Sequence, residues 1–168
     1  MSDTLRADGI KLSLEMTLIT IRASLSESDP CARFLKLMGE NRINLPFLCI
    51  AARDDSKSGI YCILSEDIPR AKRVIARGET LATRLEYLPS VGSISVFPHN
   101  FNLEFIGVML SLMGQSGAPM HGLATSISAL SMITDFSLLE QVANYLSRHV
   151  SLPGNHSPFR PDIRIKSL

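Results

Sequence analysis

The chain has 168 residues, 45% of them hydrophobic and 20% charged, with a formal net charge of +1. This is the composition of an ordinary globular protein of one or two small domains; it excludes broad disorder and lacks the basic footprint of a nucleic-acid binder. No apolar run reaches the length that spans a bilayer, and the cysteines at positions 31, 49 and 62 are an odd count that fits reduced thiols in a cytoplasm better than a disulfide framework.

Residues 1–9 are polar, without the apolar segment of a signal peptide. From Ile10 the pattern alternates, with Ile10, Leu12, Leu14, Met16 and Leu18 on one face, and then slips to Ile19 and Ile21. A slip of this kind predicts two consecutive strands or a bulge. After a polar loop at 24–29, Asp29-Pro30 predicts a helix start, with Asp29 as cap and Pro30 at the first helical position. The helix carries Phe34, Leu35 and Met38 and fades at Gly39. Residues 43–52 form an apolar run of strand length whose Pro46 predicts an edge strand. A hairpin turn at 54–59 leads into a β-rich stretch at 60–64. A second helix starts near Asp67, with Ala71, Val74 and Ile75 inward and Arg70, Lys72, Arg73 and Arg77 outward. Alternation over 81–87 predicts a strand, and Pro89-Ser90 with Gly92 marks a boundary. Beyond it come a strand at 92–97, a helix near 103–114, strands near 118–124 and 127–133 joined at Thr125-Ser126, and a helix at 137–149. Ser137 and Glu140 have the spacing of a capping box for that last helix. Residues 153–158 are a loop, and Ile163 and Ile165 are candidates for a closing strand.

The order repeats. Leu35-Lys36-Leu37-Met38-Gly39 returns as Leu110-Ser111-Leu112-Met113-Gly114, an offset of 75 that also carries Ile19 onto Ile94, Ile21 onto Val96, Asp29 onto Glu104 and Leu48 onto Leu123. Further on, an offset of 68 carries Cys62 onto Leu130 and Asp67 onto Asp135. The expectation is two copies of one unit, residues 10–89 and 90–168, with a longer hairpin in the first. A unit of roughly 75 residues has a thin core, so mutual packing is expected. The plan is strand, helix, strand, strand, helix, strand, the ferredoxin-like arrangement. The expected fold class is therefore α+β: two ferredoxin-like βαββαβ repeats packed as a pseudo-dimer. The strand at 10–14 fits as an extra strand of either copy.

With Leu18-Ile19-Thr20-Ile21, the helix Ala32–Met38 and Asn41-Arg42-Ile43-Asn44 in the first copy, and Val91-Gly92-Ser93-Ile94-Ser95-Val96, the helix ending Leu112-Met113-Gly114 and the helix near 139–146 in the second, the chain resembles a tandem of ACT domains. It is most similar to the regulatory C-terminal part of aspartate kinases, over residues 16–150. The resemblance implies a non-catalytic regulatory or sensor module that binds an amino-acid effector at the interface between two ACT units. With no kinase portion, it implies a free-standing module. The sequence departs from the family at one place: ACT sensors commonly have a glycine turn at the start of the first helix, and here Ser28-Asp29 and Leu103-Glu104 stand there. Asp29 and Glu104 are anions that cap helix N–H groups and repel a ligand carboxylate.

The candidate ligand residues are Ser28, Asp29, Asn100, Phe101 and Asn102 at the helix starts, presenting N–H groups or amide side chains, and Met120 and His121 on the facing second strand. The rival reading of the 98–102 loop is a capped turn. No metal ligand set is expected: the histidines lack helical His-x-x-x-His spacing and the cysteines lack Cys-x-x-Cys. Cys49 and Cys62 read as core residues, and Cys31 lies at a helix start beside an opposing Asp29. The helix of the second copy has two apolar stripes, Leu103/Ile106/Leu110/Met113 and Phe105/Val108/Met109/Leu112, where a sheet needs one. The other must meet the companion copy, another chain or a partner. RNA binding by the sheet is disfavoured, because Tyr61 is a lone aromatic with no basic stripe. With no acid–base–nucleophile set, the chain is expected not to be an enzyme and to need no cofactor. Expected partners are a small-molecule effector and further copies of the chain, with neither nucleic acid nor membrane. The alternative is a ligand-free dimerisation or protein-interaction module using the same surfaces.

Overall fold

The computed structural model describes residues 6–24, 29–53, 56–77, 79–97, 102–126 and 128–152. The chain divides into two compact units that meet in sequence at Ser90 and Val91. Among the described residues no helix is long and apolar enough to cross a membrane.

The first unit, residues 15–90, holds β2 (Met16–Ser24), α1 (Pro30–Glu40), β3 (Phe47–Arg53), β4 (Ser56–Leu64), α2 (Ile68–Ile75), the single turn α3 (Glu79–Ala82) and the first half of β5 (Leu85–Phe97). Its strands lie in the order β3-β4-β2-β5, which is the ferredoxin-like order. In the antiparallel β2–β4 ladder Ile19 faces Tyr61 and Ile21 faces Gly59. Residues directly opposite share a face, so Ile19, Ile21, Tyr61 and Ile63 form one apolar surface. Cys31, Phe34 and Met38 of α1 and Ala71, Val74 and Ile75 of α2 are buried on it. Their helical spacing places them on a single stripe.

The second unit, residues 6–14 and 91–152 among those described, holds β1 (Gly9–Leu12), the second half of β5, α4 (Leu103–Gln115), β6 (Gly122–Thr125), β7 (Leu130–Asp135) and α5 (Leu139–Ser147). Its strand order is β1-β5-β7-β6, the same plan with the fourth place taken by the N-terminal strand. Ile10 pairs with Val96 and Leu12 with Ile94. Ile10, Leu12, Ile94, Val96, Met109, Met113, Leu130, Met132, Leu139, Val142 and Leu146 are buried together.

Two consecutive strands are present, but they part at residues 13–15; the slip between Leu18 and Ile19 falls inside β2, where Met16 and Leu18 on one face and Ile19 and Ile21 on the other are all buried. The assignment of residues 10–14 to the first repeat is corrected: among the described strands β1 pairs with β5, at 94–97, and so completes the second. Ile163 and Ile165 lie outside the described residues. The alternation at 81–87 concealed the turn of α3, from which Leu81 reaches the core. The capping box at Ser137 is replaced by a 3₁₀ turn, Phe136–Leu138, and α5 starts at Leu139 without a side-chain cap. The offset of 68 is also corrected. The 3₁₀ turns Ser65–Asp67 and Phe136–Leu138 and the helices that begin at Ile68 and Leu139 fix it at 71. Of the two apolar stripes on α4, Phe105, Met109, Leu112 and Met113 are buried, whereas Leu103 is 79% exposed.

Candidate functional site

Asp29 caps α1. Its Oδ1 accepts from the N–H groups of Cys31 at 3.0 Å and Ala32 at 3.2 Å, two of the donors a helix start leaves without a partner. Pro30 occupies the first position, where a missing N–H costs nothing. The second carboxylate oxygen is taken by the ammonium of Lys57, 28 residues away on β4. The hydrogen bond from Lys57, aided by those amides and opposed by partial desolvation, holds the Asp29 carboxyl below its ordinary value. The same bond raises Lys57.

Lys57, Gly59 and Tyr61 alternate along β4 and so share the face beneath α1. Tyr61 is fully buried, packed against Phe34 with ring centroids 4.8 Å apart. Its hydroxyl makes no well-formed hydrogen bond among the described residues. Burial pushes this phenol well above its usual range; the Cys31 side chain and the Asp29 charge beside it add to the effect. The ring lies over Gly59, where a Cβ would stand 2.3 Å from the Tyr61 hydroxyl oxygen. Only glycine leaves room for the phenol.

The second repeat differs. α4 is capped by Asn102, whose Oδ1 accepts from Phe105 N–H at 3.1 Å. Glu104 is exposed in the first turn and is not the cap. His121 lies just before β6; its Nε2 is 2.8 Å from Asp135 Oδ1 at the end of β7. Its backbone N–H donates to Ile133. Met120 is 48% exposed. Ser28, Asn100 and Phe101 lie outside the described residues. The nominated residues that are described thus enter separate local contacts: Asn102 with Phe105, His121 with Asp135, and Asp29 with Lys57.

Sequence reasoning placed Lys57 and Gly59 in a hairpin turn at 54–59, whereas both are paired strand residues of β4, and it assigned Tyr61 only to a rejected RNA surface. The signal was available as the period-two row Lys57, Gly59, Tyr61. It also missed a half-open polar groove of about 270 Å³ lined by Ser116, Gln141, Asn144, Tyr145 and Arg148. The four α5-side residues of that groove fall at helical spacing.

Burial pushes the Cys62 thiol up to about 12, so it is protonated at neutral pH and a poor nucleophile. Among the described residues no three His, Cys, Asp or Glu side chains are grouped to hold a metal ion.

No family model matches the chain, and no curated protein matches it by sequence. Solved structures match it by fold. The ligand-free regulatory subunit of aspartate kinase from Thermus thermophilus superposes with a TM-score of 0.74 at 14% identity, covering 86% of this chain and 99% of that one. Clostridium acetobutylicum aspartate kinase gives 0.71 at 13% identity, with 90% of this chain on 36% of that one. Escherichia coli aspartokinase III, in complex with lysine and aspartate, gives 0.61 at 12% identity, with 90% of this chain on 35% of that one. Over most of its length this chain is similar in fold to the regulatory subunits and regulatory domains of aspartate kinases, in two ferredoxin-like, ACT-type repeats.

Proposed function

We propose that the chain is a non-catalytic regulatory module that binds a small metabolite of the amino-acid class. The observation that carries this reading is the fold shared with a whole regulatory subunit, 99% of which is covered. One of the similar kinases was solved with lysine and aspartate bound. The second repeat is the better receptor for a free carboxylate. Its helix start is capped by a neutral amide that takes one N–H, so the other first-turn donors and the helix dipole remain for an anion, opposed by the solvent-exposed carboxylate of Glu104 in the same turn. In this reading Asn100, Phe101 and Asn102 present the helix start, and Met120 and His121 contact the ligand. Ser28 and Asp29 are the corresponding positions of the first repeat. Self-association in a cytoplasmic setting completes the proposal.

The test is a thermal-shift screen against the common amino acids. A ligand present at about 100 times its Kd stabilises the native state by about 2.7 kcal/mol. For a chain of this length that is a rise of about 5–10 °C. A selective rise that is lost in Asn102→Ala is the expected result; a flat screen at millimolar ligand overturns the reading. One observation favours a second reading, a ligand-free assembly module: the α1 start is already satisfied by Asp29 and Lys57. A flat screen together with a stable oligomer in light scattering is the outcome that reading requires.

A further inference from the structure

We infer that Asp29 is a tethered occupant of a built carboxylate site in the first repeat, and that the site accepts a free carboxylate when the Asp29 side chain is removed. Its donors are the amides of Cys31 and Ala32, the Lys57 ammonium and the Tyr61 hydroxyl. The inference goes beyond the sensor reading and concerns the first repeat whether or not the second binds an effector.

An aspartate cap alone is an ordinary device for ending a helix. Here two further features converge on the same carboxylate. Lys57 approaches the second oxygen from a strand distant in sequence. The Tyr61 hydroxyl, fully buried beside Cys31 and Asp29, has the Cys31 sulfur as its polar neighbour and makes no well-formed hydrogen bond among the described residues. Leaving such a donor unpaired costs free energy, and Gly59 keeps clear the space that the phenol fills. Asp29 cannot serve all four donors, because its backbone is fixed at the cap and its two oxygens are already engaged with Cys31, Ala32 and Lys57. A carboxylate free of that tether can settle deeper and accept from Tyr61 as well. The ligand class is therefore a small monocarboxylate. In the native chain the tethered group excludes it, so a chain whose second repeat binds an effector takes up one equivalent and not two.

The probe is sodium acetate, with sodium chloride at equal ionic strength as control. The readout is the amide resonances of Cys31 and Ala32 in the full chain. The variants are Asp29→Gly, the mildest replacement of an aspartate cap, and Asp29→Ala in case the first does not fold. Expected is saturable binding of acetate, tighter than in the native chain by about tenfold or more, since a tethered competitor acts at an effective concentration in the millimolar range or above. Adding Lys57→Gln or Tyr61→Phe should each weaken it. The inference is overturned if acetate moves these amides no more than in the native chain, if chloride does the same, or if affinity survives both added substitutions. Loss of the fold in both Asp29 variants also overturns it, because an occupant must be removable. Failure of the amino-acid screen leaves this test standing, since its readout is confined to the first turn of α1.

Discussion

Tyr61→Phe should stabilise the protein, although it deletes a polar atom at the centre of the best-formed site. The substitution keeps the ring, its contact with Phe34 at 4.8 Å and its place over Gly59. It removes a hydroxyl that is fully buried without a partner. An unsatisfied buried polar group costs about 1–3 kcal/mol. Against this stand the dispersion contacts of one oxygen, at about 0.1–0.2 kcal/mol per neighbouring atom. The net gain is about 1 kcal/mol, or a rise in Tm of about 2–4 °C for a chain of this length. Thr134→Val offers the same test in the other unit: Thr134 is fully buried and its hydroxyl is likewise unpaired. Urea unfolding should place both midpoints above the native one without a change in slope. Loss of stability in Tyr61→Phe would mean that its hydroxyl is well satisfied, and would refute both this reasoning and the fourth donor of the carboxylate site.

Three further predictions follow from the same residues. The carboxyl of Asp29 is lowered in the folded state, chiefly by Lys57, so its contribution is present above the unfolded value of about 3.9 and is lost as pH falls through the folded one; Asp29→Asn should flatten the dependence of Tm on pH below about 4, and a native slope in that variant would assign the acid sensitivity elsewhere. Cys31 and Cys62 are buried and Cys49 is partly exposed, so an aromatic disulfide reagent at pH 8 should find one fast thiol in the native chain and three after denaturation. Deleting residues 1–12 strips Ile10 and Leu12, 3% and 2% exposed, from the second unit at a cost of about 1.5–3 kcal/mol each. Hydrogen exchange should then accelerate in β7 while the two buried thiols, both in the first unit, stay protected.

The features legible in the sequence were those set by neighbours in the chain. Asp29-Pro30 announced its helix because a cap and a first-turn proline act within three residues. The alternation from Ile10 announced strands because a period of two puts every apolar side chain on one face, but the phase slip before Ile19 reports a strand buried on both faces and not the break at 13–15. Partnership was not legible. Ile10 pairs with Val96 across about half of the chain, and the sequence offers the 163–165 segment on equal terms. The Asp29–Lys57 contact spans 28 residues, and nothing local to either residue indicates the other. The capping-box spacing at Ser137 misled because the 3₁₀ turn Phe136–Leu138 displaces the helix start to Leu139. The repeat was visible but was out of register in its second half. An offset of 68 matches apolar residues, yet it carries Cys62, opposite Phe47, onto Leu130, which packs with the helices.

With the offset set by the structure, the two copies part at one place. β3 and β6 begin 75 residues apart, at Phe47 and Gly122, and α1 and α4 end 75 apart, at Glu40 and Gln115. α4 is longer than α1, 13 residues against 11, and the difference lies wholly at its start. The cap therefore moves from the position of Glu104 to Asn102, and an anion is replaced by a neutral amide. On the strand beneath, the offset of 71 carries Lys57 onto Ser128, Gly59 onto Leu130 and Tyr61 onto Met132. The ammonium, the clearance and the hydroxyl have all gone from the second copy, together with the capping carboxylate that the ammonium holds in the first. Buried groups that answer one another are retained or lost as a set, because each is costly without its partners. The first copy has kept the set and filled it from its own chain. The second has dispensed with it: a neutral amide caps the helix, and the acidic residue of the first turn, Glu104, points to solvent with no part in the cap.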